Sequence, residues 1–143
     1  KMKAKDLLGL WCSHLLLNCS KPQGVALQSQ LQSEDHSLQL NPVNDPEQLL
    51  ADLLAIYWQG LHQPIPLLPQ TSMAYALAEL NAGKADPEKE AYKAWQSSRF
   101  HQGEESDTYH QLLFSELPLN DQFRDLALRV YQPLWDALQG DKL

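Results

Sequence analysis

The sequence predicts an α/β or α+β fold in which a buried helix and a β-hairpin are followed by a helical C-terminal half. Three observations carry this. Leucines crowd residues 4–18 at helical spacing, residues 25–40 alternate apolar with polar side chains, and helix-start signals punctuate everything after Asp45. At 143 residues the chain reads as one domain or a piece of one, with 1–44 forming the helix and hairpin and 45–143 the helical part.

The first helix is expected over Ala4 to Asn18. Leu7, Leu8, Leu10, Trp11, Leu15 and Leu17 cover more than one face, so this helix should be mostly buried. A strand follows from Val25 to Leu31, where Val25, Leu27 and Leu31 alternate with Gln28, Gln30 and Gln32. Ser33 to Ser37 reads as a polar turn, and Leu38 and Leu40 as a second strand that stops at Pro42. Two strands do not make a sheet that stands alone, so the hairpin needs more strands or covering helices.

The next helix opens on Asp45, Pro46 and Gln48, a pattern resembling a capping box, and carries Leu49, Leu50, Leu53, Leu54, Tyr57 and Leu61 as a wide stripe. It should end near Gly60. Pro64, Pro66 and Pro69 then impose a rigid, nearly extended crossing through Ile65, Leu67 and Leu68, because proline fixes φ, lacks an N–H and restricts its predecessor. Thr71 or Ser72 should restart a helix. Asp86 and Pro87 start another, with Ala91, Tyr92 and Trp95 on one face. Asp107 should cap a short helix bearing Tyr109, Leu112 and Leu113. Asn120 or Asp121 opens the last long one, with Phe123, Leu126, Ala127, Val130 and Leu134 at helical spacing and Pro133 expected to kink or split it.

Composition narrows the function classes. A hydrophobic fraction of 43% with four Trp, five Tyr and three Phe belongs to a folded chain. Eleven basic against eighteen acidic residues give a net charge of −7. Lys84, Lys89, Lys93, Arg99, Arg124 and Arg129 are dispersed among acids, and only Lys1, Lys3 and Lys5 cluster. Independent, tight DNA binding is therefore not expected. No apolar run approaches the roughly 20 residues of a membrane helix. Cys12 and Cys19 would stand about 10 Å apart on one helix, too far for a disulfide, and free thiols fit the cytoplasm.

Reactive constellations are scarce. A restriction-type nuclease uses an Asp and then an acid two residues before a Lys, so that two carboxylates hold Mg²⁺. The sequence contains no Glu-x-Lys or Asp-x-Lys triplet. The run Asp86-Pro87-Glu88-Lys89-Glu90 reads as a helix start whose acids suit the dipole. Glycines are scattered singly, which gives no phosphate loop. Cys12, His14 and Cys19 lack ligand spacing, as do His36, His62, His101 and His110, so no metal or other cofactor is expected. Ser13-His14 has no nearby acid to orient it and reads as a satisfied core histidine. The one DNA-contact candidate is Lys93, Trp95 and Arg99, an aromatic between cations that would stack a base; the competing reading is a core-facing Trp flanked by solvated charges.

Certain residues carry a resemblance through their order and spacing. They are Lys3-Ala4-Lys5-Asp6, Trp11 and His14-Leu15-Leu16 on the first helix, then Leu67-Leu68-Pro69 with Ser72 and Tyr75. Lys93-Ala94-Trp95, Gly103-Glu104 with Asp107 and Tyr109, and the closing Phe123, Ala127, Val130-Tyr131 and Pro133-Leu134 complete the set. Over nearly the whole chain this resembles the C-terminal domain of the gamma subunit of bacterial exodeoxyribonuclease V, the RecC family.

That resemblance implies a partial restriction-endonuclease-like domain that has lost its active site, with the hairpin extending a sheet begun before Lys1. It implies a non-catalytic scaffold of a RecBCD-type helicase-nuclease, acting in double-strand break repair and recombination. The partners it implies are the sibling beta and alpha chains, with DNA met only in the context of the complex. No catalytic residue is carried over. The alternative reading is a free-standing helical adaptor for one protein partner. The strand edge from Val25 to Leu31 carries no charge, so the isolated chain is expected to dimerise through it.

Overall fold

The computed structural model describes residues 3–32, 37–81 and 84–138. The fold is mixed α/β, mostly helical, with one two-stranded antiparallel hairpin among the described residues. The chain divides into two compact units. One is built from the residues up to Leu61 together with those from Pro133 onward, the other from His62 to Gln132.

In the first unit, α1 (Ala4–Ser20) ends when Lys21 turns left-handed at φ 43° and returns its N–H to the Leu17 carbonyl at 3.1 Å. Ala4, Leu7, Trp11, His14, Leu15 and Asn18 are buried, recurring at helical spacing along one side. The expected burial on more than one face narrows to this stripe. Leu8, Leu10 and Leu17 are half-buried and Leu16 is exposed, while the side of His14 and Asn18 is hydrogen-bonded to Ser29 and Leu27.

The hairpin pairs β1 (Ser29–Gln32) with β2 (Ser37–Leu40), Leu31 facing Leu38 and Ser29 facing Leu40. The strand expected from Val25 starts later, for a local reason. The Val25 N–H is spent on the Pro22 carbonyl at 3.3 Å, and the Leu27 carbonyl is taken by the Asn18 side chain. Of the expected Ser33–Ser37 turn, Ser37 belongs to β2 and Ser33 to His36 lie outside the described residues. Leu38 and Leu40 are buried, and β2 stops short of Pro42. Past the strand, the Asn41 N–H donates to the Ala137 carbonyl at 2.8 Å and Leu40 bridges Leu138.

α2 (Pro46–His62) runs two residues past the expected end. The capping box is not what starts it: Asp45 sits at φ 52° and its carbonyl receives the N–H groups of Gln48 and Leu49 at 3.1 and 3.2 Å. Of the expected stripe, Leu49, Leu50 and Leu53 are half-buried while Leu54, Tyr57 and Leu61 point outward; Ile56 is the buried aliphatic.

In the second unit the proline crossing carries one tight turn, with the Leu67 N–H on the Ile65 carbonyl at 2.9 Å across Pro66. α3 (Pro69–Leu80) starts earlier than Thr71, with Pro69 in the first turn where its missing N–H costs nothing. It packs against α4 (Pro87–Trp95), capped as expected by Asp86, which accepts the Glu88 and Lys89 N–H groups. Ala91 and Trp95 are buried, but Tyr92, about 100° further round than Ala91, is exposed. A short 3₁₀ turn (Glu104–Ser106) leads to α5 (Thr108–Leu113), capped by Asp107, whose Tyr109, Leu112 and Leu113 face outward.

α6 (Asp121–Ala137) is capped by Asn120, whose Oδ1 accepts the Phe123 N–H at 2.9 Å. Phe123, Leu126, Ala127, Val130 and Tyr131 are buried, and Tyr75 meets Phe123 edge-on at 5.5 Å. Pro133 does not split this helix. Leu134 and Ala137 are themselves buried, and that packing outweighs the one backbone hydrogen bond proline removes.

Candidate functional site

Two polar knots organise the interior, one in each unit. In the first, His14 is fully buried and its Nε2 lies 2.8 Å from the Asn41 carbonyl oxygen. A carbonyl only accepts, so Nε2 carries the proton and donates. Nδ1 is then the acceptor, and the Ser29 hydroxyl donates to it at 2.9 Å. Burial holds His14 below the usual histidine range, only partly offset by the Asn41 bond, and the ring is neutral. Asn18, one turn on, donates to the His14 and Leu27 carbonyls and accepts the Val43 N–H at 3.2 Å. The Trp11 ring stacks on the imidazole at 5.8 Å. No acid takes part, and Ser13 Oγ instead donates to the Gly9 carbonyl. His14 is a structural pin joining α1, β1 and the segment after β2.

The second knot centres on Glu104. Its Oε1 accepts the Gln70 N–H at 2.9 Å and its Oε2 the Thr71 N–H at 2.8 Å, so a carboxylate from a distant loop caps the first turn of α3. Those N–H groups have no partner inside the helix, and the helix dipole favours an anion there. Ser72 adds a reciprocal pair with Leu68: its Oγ accepts the Leu68 N–H at 3.1 Å and its N–H donates to the Leu68 carbonyl at 2.7 Å. The Tyr131 hydroxyl donates to the Pro69 carbonyl at 2.8 Å. Burial, with the Glu104 charge behind it, pushes Tyr131 far above the usual tyrosine range, so it remains a donor.

The loop that delivers Glu104 is fixed at Gly103. A Cβ there would stand 2.1 Å from the Trp95 carbonyl oxygen, so only glycine fits. Ser97 Oγ accepts the Gly103 N–H, Ser106 Oγ donates to the Gly103 carbonyl, and Glu105 accepts the Ser97 N–H at 2.7 Å. His110 Nδ1 donates to the Glu104 carbonyl at 3.0 Å, and its ring lies 6.3 Å from that of Trp95.

The sequence-predicted contact residues fall close to this knot but in unlike settings. Trp95 is 5% exposed, which leaves its ring faces to protein neighbours. Lys93 pairs with Glu90 at 2.5 Å on the outside of α4. Arg99 is exposed on the turn closed by Ser98 and His101. The two cations are thus surface groups beside a core tryptophan. Cys12 and Cys19 are free thiols. Among the described residues no three His, Cys, Asp or Glu converge as metal ligands, and no helix is long and apolar enough to cross a membrane.

The outer side of α2 is the most unusual surface. Leu54, Tyr57, Trp58 and Leu61 are 58, 65, 64 and 59% exposed, and their i, i+3, i+4, i+7 spacing puts them on one face. Between Lys21 and Lys84 the sequence has no Lys or Arg at all, whereas it has Glu34, Asp35, Asp45, Glu47, Asp52 and Glu79.

Residues 1–80, from before α1 to the last residue of α3, match the family model described as the RecC C-terminal domain. The chain belongs to the RecC C-terminal domain family. It is similar to two proteins of Mycobacterium tuberculosis, strains CDC 1551 / Oshkosh and ATCC 25618 / H37Rv, each named RecBCD enzyme subunit RecC. To each it is 35% identical over 69 residues, which is 48% of this chain and only 6% of the relative. The RecC-matched stretch contains the His14 knot, the hairpin, α2 and the capped start of α3, while the capping Glu104 lies beyond it.

Proposed function

We propose that this chain is a non-catalytic scaffold and subunit-docking segment of a RecBCD-type helicase-nuclease, serving double-strand break repair and recombination in the cytoplasm. The observation that carries this reading is the use made of the polar residues, both inside the RecC-matched stretch and beyond it. His14, Asn18, Ser72, Glu104 and Tyr131 are committed to closing helix ends and pinning segments together. Such a domain holds shape for neighbours. The sibling beta and alpha chains are the proposed neighbours, with the hairpin continuing the sheet of a restriction-endonuclease-like domain. The family match over 1–80 weighs against a free-standing adaptor.

Strand guidance is the second half of the proposal. Contact with DNA would come through the exposed cations Lys93 and Arg99, with Trp95 supporting them from beneath rather than stacking a base. With a net charge of −7, such contact is weak unless the complex supplies the remaining positive surface.

Co-expression with the beta and alpha chains of an exodeoxyribonuclease V tests the reading. The chain should co-purify with them, and alone it should neither cut linear DNA in Mg²⁺ or Mn²⁺ nor bind it below micromolar concentrations in ~150 mM salt. Failure to co-purify refutes the docking half. Cleavage that survives purification refutes the non-catalytic half.

A further inference from the structure

α2 carries apolar side chains all the way round. From Leu49 to Leu61 its only charged residue is Asp52 and its only amide Gln59. A helix hydrophobic on every side belongs inside a larger packing arrangement. One side is covered, with Ile56 buried and Leu49, Leu50 and Leu53 half-buried. The other side presents Leu54, Tyr57, Trp58 and Leu61, with the exposed small residues Ala51 and Ala55 along the edge next to Trp58. The patch is on the order of 500 Å², at the upper end of what a monomer ordinarily exposes.

Charge decides what covers it. Glu47 is exposed one heptad before Leu54, and α2 itself carries no Lys or Arg. Phosphates would meet that acid with no Lys or Arg of this helix to hold them, which disfavours a nucleic acid. An interfacial membrane helix carries Lys and Arg on its polar side, and this helix has neither. A second copy would bring the same acids against the same acids, and the face alone falls short of the ~800 Å² per partner of a standard interface. A protein helix with its own apolar stripe satisfies the patch, and basic flanks satisfy the rim.

We infer that the outer face of α2, centred on Leu54, Tyr57 and Leu61, docks an amphipathic helix of a partner protein whose apolar stripe is flanked by Lys and Arg. This rests on the docking role proposed above and names the surface that performs it.

The test uses the full chain and three synthetic helical peptides: a Leu stripe with Lys flanks, the same stripe with Glu flanks, and Lys flanks with the stripe replaced by Ser. Titration calorimetry should show the Lys-flanked Leu peptide binding about tenfold or more tighter than either control, with the advantage shrinking in 1 M salt. Leu54→Asp together with Leu61→Asp should weaken that binding at least about tenfold although it makes the chain more acidic, which separates docking from general charge attraction. Both positions are exposed, and an unchanged circular dichroism spectrum and urea midpoint will show that the fold is kept. Equal binding of the Lys- and Glu-flanked peptides overturns the inference, as does binding indifferent to the double substitution. A dimer in light scattering that the double substitution dissolves overturns it in favour of a second copy, and binding to anionic vesicles through this face overturns it in favour of a membrane. Co-purification separates the two readings: if wild type and variant both co-purify with the beta and alpha chains, only the α2 assignment fails. If the wild type itself does not, the docking role fails, while the peptides still decide the chemistry of the face.

Discussion

Glu104→Ala gives the sharpest test of how the second unit is held. The substitution removes two carboxylate-accepted hydrogen bonds from the first turn of α3, at 2.9 and 2.8 Å. A hydrogen bond to a charged group contributes about 1.5–3 kcal/mol, and an anion at a helix N-terminus about 0.3–1 kcal/mol. The low ends for the two bonds and the dipole come to roughly 3 kcal/mol, and because Glu104 is only half-buried, water replaces part of this. The expected net loss is about 2–3 kcal/mol. For a chain of this length the melting temperature should fall by roughly 6–10 °C. Glu104→Gln, which keeps one acceptor oxygen and loses the charge, should cost roughly half as much. Urea unfolding followed by far-ultraviolet circular dichroism measures both. A loss below about 0.5 kcal/mol for Glu104→Ala would refute the capping argument, because a surface carboxylate with no structural task costs about that little.

Three further outcomes are expected. His14 is held below its ordinary range when folded, so acid favours the unfolded chain, and stability should decline as pH falls from about 6.5 toward the folded value; a His14→Gln variant whose urea midpoint fell equally steeply would refute this. Thr71 Oγ1 is buried without a partner, so Thr71→Val should leave stability unchanged or raise it by about 1 kcal/mol, and a loss larger than that would reveal a missed hydrogen bond. Gly103→Ala forces a methyl against the Trp95 carbonyl and should destabilise by about 1–3 kcal/mol, which a urea midpoint equal to wild type would contradict.

The helices and their starts were legible because their signals are local. Asp86, Asp107 and Asn120 each cap the helix that follows within three residues, and the stripe of Phe123, Leu126, Ala127 and Val130 needed only its own spacing. What the sequence hid is non-local. Glu104 reaches Thr71 across more than thirty positions, and nothing near either residue announces the pair. Asn18 left a fainter trace, an amide one turn after His14 on an otherwise apolar helix, and its consequence was to shorten β1 by occupying the Leu27 carbonyl. Periodicity also says which residues share a face without saying whether that face is covered. Leu54, Tyr57 and Leu61 belong to the stripe expected from their spacing, yet they are exposed.

The bond from Asn41 to the Ala137 carbonyl, with Leu40 beside Leu138, bears on how the chain is born. The first unit is discontinuous in sequence, with the residues His62 to Gln132 intervening between its two pieces. During synthesis at ~5–20 residues per second, α1, the hairpin and α2 leave the ribosome well before the segment that closes β2 exists. The second unit, whose strongest contacts lie within its own stretch, can condense in that interval. Once it has, the two pieces of the first unit are joined by a folded body instead of a floppy loop, and the entropy of bringing Leu40 to Leu138 falls accordingly. Changes that slow condensation of the second unit should therefore delay completion of the first, although no residue of its interior has been touched.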